Sequence, residues 1–355
     1  MPYLEINLKK IEQNFLRLKK VSESKKFSVM GITKVVLGNP TIAKALVKAG
    51  LKYIGDSRIG NIIRMKKSGV NAQFVLIRVP SLSELQLVIK HADMSLNSEL
   101  EVIKKLSELA IIENKKHGII LMVEMGDLRE GIMPDKLEET VSQILRLKGI
   151  ELAGIGTNLK CFAGVIPDEE NMKSFSELAQ NIQKKFGITL NFVSGGNSAN
   201  YNWLVSNADK GIINNLRIGT IIFLGIEGID EKPIPGYHHD AITFVAEIIE
   251  CKKKPRYPKG TITTNAFGET SIFKDKYEDI EGLRNQALLN VGRQDINERG
   301  LIPIDDVEIM SASSDYIVID LKDNEFNVGD KLRFHVNYEA LLGAMTSPFV
   351  SKVFI

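Results

Sequence analysis

From residue 9 to about 225 the chain alternates amphipathic helical patterns with short apolar runs, and few folds accommodate that rhythm. Lys9 to Ser22 sets Ile11, Phe15, Leu18 and Val21 on one helical face. Eight strands are then expected, at 27–34, 52–56, 73–79, 93–96, 118–125, 151–157, 190–195 and 215–223. Helices are expected between them, among them 41–49, 59–67, 83–92, 99–114, 136–148 and 169–186. Eight such units in this length predict a (β/α)8 TIM barrel, which typically takes about 250 residues. A doubly wound sheet is the alternative.

The texture changes after Gly228. Residues 230–260 are rich in Pro and Gly, and short alternating strands are expected at 242–250, 288–291, 316–320 and 331–336. The expected organisation is therefore a barrel over 9–228 followed by a smaller, mainly antiparallel β domain over 229–355. The opening strand, residues 1–8, is free to join the second domain.

Composition excludes several classes. Lys plus Arg (46) nearly balances Asp plus Glu (44), so no nucleic-acid or membrane-surface partner is indicated. The two cysteines, Cys161 and Cys251, have no metal-ligand spacing. No apolar run is long enough to span a bilayer, and Met1–Ile6 does not resemble an export signal, so the cytoplasm is the expected compartment.

In a TIM barrel the chemistry gathers at the C-terminal ends of the strands. Lys34 closes the first, where desolvation would favour the neutral amine that a Schiff-base lysine needs; simple snorkelling is the alternative. The later ends carry Asp56, Arg78, Asn97, Glu124 with Asp127 and Arg129, Thr157-Asn158, and Ser194-Gly195-Gly196-Asn197-Ser198. That last turn reads as a phosphate cradle, extended by Gly219-Thr220, unless its glycines serve only a tight turn. A lysine facing such a cradle points to pyridoxal phosphate (PLP). Arg217, between Leu216 and Ile218, is expected in the barrel mouth unless it forms a structural salt bridge. A guanidinium can only donate, so it would leave a pyridine nitrogen unprotonated and the ring a weak electron sink, which suits racemisation.

These motifs, in this order, resemble the alanine racemase-like, fold-type III PLP enzymes, and among them the ornithine racemase branch. Gly31-Ile32-Thr33-Lys34, Gly126 to Gly131, Gly154 to Leu159, Ser194 to Ser198, Leu216 to Gly219 and Asn337-Tyr338-Glu339 carry the likeness. It implies an amino-acid racemase, a homodimer with composite sites, that acts on free ornithine or another basic amino acid. It makes Lys34 the PLP lysine and one of two bases, and Arg217 the partner of the pyridine nitrogen. Ser198, Gly219, Thr220 and Tyr338 become phosphate ligands, and Arg129 stands near the substrate carboxylate. Asn158 occupies the place of a histidine against the ring, and Gly38 that of a phosphate-side tyrosine.

The stretch Thr264 to Glu269, where alanine racemases carry the second base, contains no tyrosine. Asp315, Cys161, Tyr201, His238 and His239 are the candidates, Asp315 being the one put forward. Glu124, Asp127, Glu269 or Asp315 could hold a distal ammonium. A non-catalytic PLP-binding protein, a D-amino-acid lyase and a sugar- or nucleotide-phosphate barrel enzyme are the rival readings.

Overall fold

The computed structural model describes residues 1–275 and 281–355. The chain forms two compact units, Lys9–His238 and Met1–Leu8 together with His239–Ile355. Strand β1 (Tyr3–Ile6) belongs to the second. The first is a closed barrel of eight parallel strands: β2 (Ser28–Ile32), β3 (Tyr53–Asp56), β4 (Gln73–Leu76), β5 (Met94–Asn97), β6 (His117–Met122), β7 (Ile150–Gly156), β8 (Phe192–Ser194) and β9 (Asn215–Ile218). Alternate residues point inward. Met30, Ile32, Met94, Leu96, Met122 and Phe192 thus fill the barrel beneath its mouth. Each such side chain contributes roughly 1.5–3 kcal/mol by burial.

The helices at Ile59–Lys67 and Glu169–Phe186 occupy the expected spans. The second is bounded by an Asp168–Asn171 capping box and by Gly187 in the left-handed conformation. One apolar run differs from expectation. Strand β9 ends at Ile218, and Thr220–Leu224 is a short helix between Gly219 and left-handed Gly225. Periodicity cannot separate a buried strand from a buried helical turn in a continuous apolar run. Closure decides here, because β9 completes its pairing with β2 at Gly31↔Ile218.

The division between units falls at His238–His239 rather than after Gly228. Residues 229–238 fold back onto the barrel unit: Ile234 N–H donates to Gly225 O at 2.9 Å, and the Asn14 amide clasps both backbone groups of His238, at 2.7 and 2.9 Å.

The β unit adds β10 (Ile242–Pro255), β11 (Leu283–Leu289), β12 (Leu301–Pro303), β13 (Glu308–Ala312), β14 (Ile317–Asp320), β15 (Lys331–Val336) and β16 (Ser351–Phe354). Their order is β12-β15-β10-β11-β14-β13, and β1 lies between β10 and β16. Three short strands (β12, β13, β16) and the helix Tyr338–Thr346 go beyond the expected elements. Among the described residues no helix is long and apolar enough to cross a membrane.

Candidate active site

Lys34 follows Met30 and Ile32 in the inward register, but β2 stops at Ile32 and Lys34 opens a 3-10 turn, Lys34–Val36. The lysine is partly buried at the mouth. A compact polar cluster fixes this turn. Thr33 Oγ1 donates to Asp56 Oδ2 at 2.9 Å, and the other Asp56 oxygen accepts from Arg58 N–H (3.0 Å) and Asn61 Nδ2 (2.9 Å). Arg64 donates to Leu37 O. Burial raises the Asp56 pKa, and hydrogen bonds led by that from Asn61 oppose the rise. Asp56 thus supports the Lys34 turn rather than facing the mouth. Gly38 has φ +55°, and a Cβ there would lie 2.8 Å from Asn61 Cβ, so a tyrosine has no room.

Arg217 points inward from β9 and is buried. Its Nη1 donates to Ser194 Oγ at 2.7 Å, and its Nη2 to Thr157 O at 2.7 Å and Asn158 Oδ1 at 3.3 Å. The column continues downward: Ser194 Oγ donates to Asn215 Oδ1 (2.8 Å), and Asn215 Nδ2 to Ser28 Oγ (2.9 Å). No carboxylate among the described residues forms an ion pair with Arg217, so it is no structural salt bridge. Burial pulls its pKa down to about 10, against a smaller opposing effect of the Glu130 charge. With both terminal nitrogens anchored, Nε–H is the donor left for a ligand. Asn158 Nδ2 and Thr157 Oγ1, both buried, also lack partners among the described residues.

The cradle has two parts. Ser198 begins a 3-10 turn capped by Asn197, is buried, and its hydroxyl makes no hydrogen bond among the described residues. Gly219 precedes the helix Thr220–Leu224 with no side chain capping it, so first-turn N–H groups are available to an anion. Gly196 has φ +140°, and a Cβ there would meet Asn200 Oδ1 at 2.2 Å. Because β9 pairs with β2, Gly219-Thr220 lies beside the Lys34 turn instead of across from it. A Cβ on Gly219 would stand 2.9 Å from Ile32 O.

Other expected residues are engaged differently. Arg129 forms a two-pronged pair with Glu130, Nη2 to Oε1 being 2.8 Å. Arg78 pairs with Glu84 at 3.0 Å, and Asn97 turns to Ser95 at 2.9 Å. Glu124 Oε1 accepts from Gly126 N–H (2.5 Å) and Leu128 N–H (3.1 Å), leaving Oε2 without a hydrogen bond among the described residues. Buried Asp127 takes the N–H groups of Cys161, Phe162 and Ala163 on one oxygen, at 3.1, 3.1 and 3.3 Å. Cys161 is exposed, with Sγ 3.4 Å from Asn197 Nδ2. Tyr201 is buried, packed edge-on against Tyr237.

In the β unit Asp315 sits in the exposed turn between β13 and β14 and accepts from Gln294 at 3.0 Å. Glu269 is paired with Arg293 and Arg299, and the Arg293 hydrogen bond leads in holding its pKa down to about 2. Tyr338 opens the helix Tyr338–Thr346. Ser194, Asn197 and Asn215 were not expected as separate functional residues. The inward register of β8 and β9 is the signal that would have found Ser194 and Asn215. Among the described residues no group of three His, Cys, Asp or Glu side chains is placed to hold a metal ion.

The profile of the alanine racemase N-terminal domain matches residues 6–226. The chain belongs to the alanine racemase family. It is 40% identical to the lysine racemase of Thermotoga maritima over 355 residues, 99% of this chain and 98% of that one. With the ornithine racemase of Acetoanaerobium sticklandii it shares 36% over 359 residues, 99% of each chain. The alanine racemase structure from Clostridium difficile 630 covers all of this chain and is itself covered to 95%, at a TM-score of 0.74 and 19% identity, which shows the fold. The chemistry of this family member is PLP-dependent racemisation of an amino acid. The residues present fit the cofactor: Arg217 Nε–H and the buried Asn158 Nδ2, both without a partner among the described residues, and an uncapped anion cradle lie at the same barrel mouth as Lys34.

Proposed function

We propose that the protein interconverts the enantiomers of a free basic amino acid, lysine or ornithine, with PLP held on Lys34. The observation that carries the reading is Arg217: a buried guanidinium with no ion-pair partner among the described residues, both ends anchored, beside the lysine turn and the cradle. When bound, PLP supplies the electron sink that acidifies the α-C–H bond.

The chain's own groups do the rest. Arg217 Nε–H would serve the pyridine nitrogen, and its permanent proton would keep that sink weak. The Ser198 hydroxyl, Thr220 and the first N–H groups after Gly219 would hold the phosphate. Asn158 would flank the ring. The Lys34 amine moves the α-proton on one face. Arg129 exchanges Glu130 for the substrate carboxylate, a bidentate partner of the same kind. Glu124, whose Oε2 is available at the end of β6, takes the distal ammonium that lysine and ornithine share. The working assembly is a homodimer with composite sites, which sedimentation at assay concentration tests.

Chiral chromatography after incubating the holoenzyme with single enantiomers of lysine, ornithine, arginine, alanine and serine tests the reading. Racemisation of lysine or ornithine at least tenfold faster than of alanine is expected. Retained optical purity throughout the panel would overturn it.

A further inference from the structure

We propose that Cys161 is the second proton carrier, acting on the α-carbon face opposite Lys34; this rests on the racemase reading above. Cys161 lies on the loop after β7, and β8 and β9 separate β7 from β2, so the thiol and Lys34 occupy well-separated sectors of one mouth. The loop is held. One Asp127 oxygen takes three consecutive N–H groups from it, and Ala163 N–H also reaches Asp127 O at 3.2 Å. Asp127, buried and committed to this clasp, acts as a positioning residue.

The thiol is tied to the cofactor-facing cluster through Asn197. Its Nδ2 contacts Sγ at 3.4 Å, Asn158 Oδ1 at 3.0 Å and Leu159 O at 2.8 Å. Asn158 Oδ1 in turn accepts from Arg217 Nη2 at 3.3 Å. An independent observation marks this cluster as one that meets a ligand. The Asn158 side chain is 9% exposed, yet its Nδ2 has no hydrogen-bond partner among the described residues. A buried amide donor without an acceptor costs about 1–3 kcal/mol unless a bound molecule satisfies it.

The other candidates are placed less well. Asp315 and Tyr201 have the settings described above, His238 Nε2 is 2.7 Å from Gln13, and His239 packs against His335.

The step balances without an oxidant or reductant. Thiolate Sγ takes the α-proton on one side and becomes a thiol, and the C–H electron pair stays with the α-carbon. The Lys34 ammonium then gives a proton to the other side and becomes an amine. The reverse direction exchanges the two roles.

The test uses the holoenzyme and its Cys161→Ser and Cys161→Ala variants. Each is incubated in D2O with one enantiomer at a time of the amino acid that the wild type racemises. Because the side chain is exposed and its loop is held by backbone bonds, the variants are expected to keep the wild-type melting temperature and PLP absorbance. Racemisation is expected to fall at least 100-fold, within the usual range of about 10²–10⁴ for a lost acid or base. Deuterium should enter the α-position from one enantiomer only.

A second readout is independent of turnover. Iodoacetamide labelling of the wild type, read by peptide mass spectrometry, should be slowed at least tenfold at Cys161 by PLP with the amino acid, and unchanged at Cys251. Racemisation by either variant within threefold of wild type, exchange from both enantiomers or neither, or labelling indifferent to ligand would overturn the proposal. One-sided exchange in Asp315→Asn instead would transfer the role to Asp315. Wild-type protein that racemises nothing would remove the racemase reading, and this inference with it; a racemising wild type with an equally active Cys161→Ala removes this inference alone.

Discussion

Arg217→Gln separates a functional arginine from a structural one. Burial lowers the Arg217 pKa from the usual guanidinium range to about 10, while the group stays charged at neutral pH in folded and unfolded chain alike. A drop of that size means that keeping the charge folded costs roughly 3 kcal/mol. Opposing it are the short bonds to Ser194 Oγ and Thr157 O, both 2.7 Å, with the longer one to Asn158. Charge-assisted bonds of this kind contribute about 1.5–3 kcal/mol each. Glutamine removes the charge and retains one amide NH2 as a donor group. The apoprotein should therefore change in stability by no more than about 2 kcal/mol, against about 3–5 for breaking a buried ion pair. Urea unfolding of the apoprotein measures this, and chiral chromatography of the holoenzyme should show racemisation reduced at least 100-fold. A loss above about 4 kcal/mol, or retained racemisation, would refute the reasoning.

Ser194→Ala removes the Nη1 anchor and leaves Asn215 Oδ1 without its donor, which should destabilise the apoprotein by about 1–3 kcal/mol and weaken PLP retention in dialysis. Gly196→Ala places a Cβ 2.2 Å from Asn200 Oδ1 at φ +140° and disturbs the Asn197–Asn200 capping box. A stability loss of about 2 kcal/mol or more is expected from chemical unfolding, and unchanged stability would deny the strain. His117 is buried and bonded to Ser95 Oγ at 2.7 Å, and burial lowers its pKa from 6.5 to about 4. The fold thus prefers the neutral ring. Its contribution is complete above pH 6.5, and roughly 3 kcal/mol is lost as pH falls toward 4, because the unfolded chain takes the proton first. His117→Gln should flatten the stability curve over that window, and curves of equal slope would count against this account.

The barrel was legible because a βα rhythm leaves few architectures open, and Lys34, Arg217 and the Ser194–Ser198 turn stood out as polar residues at strand ends. Strand-end position alone did not say which way a side chain turns. Asp56 and Asn97 share the rim with Lys34 but turn to Thr33 and Ser95, since neighbouring residues on a strand face opposite sides. Nor could a linear reading see barrel closure, which sets Gly219 against Ile32 and makes the cradle a neighbour of the lysine. The Asp127 clasp joins residues 34 to 36 positions apart through backbone N–H groups, which carry no side-chain signature. A linear reading therefore offers Asp127 as one of four carboxylates that could hold a substrate amine. In the β unit the three-residue β12 is too short to give an alternation pattern.

The most direct test of the central claim is to reduce the PLP-loaded protein with borohydride and locate the phosphopyridoxyl group by peptide mass spectrometry. The account predicts a single labelled site, Lys34, with racemisation lost in proportion to labelling. A label on another lysine, or racemisation that survives complete labelling of Lys34, would contradict it.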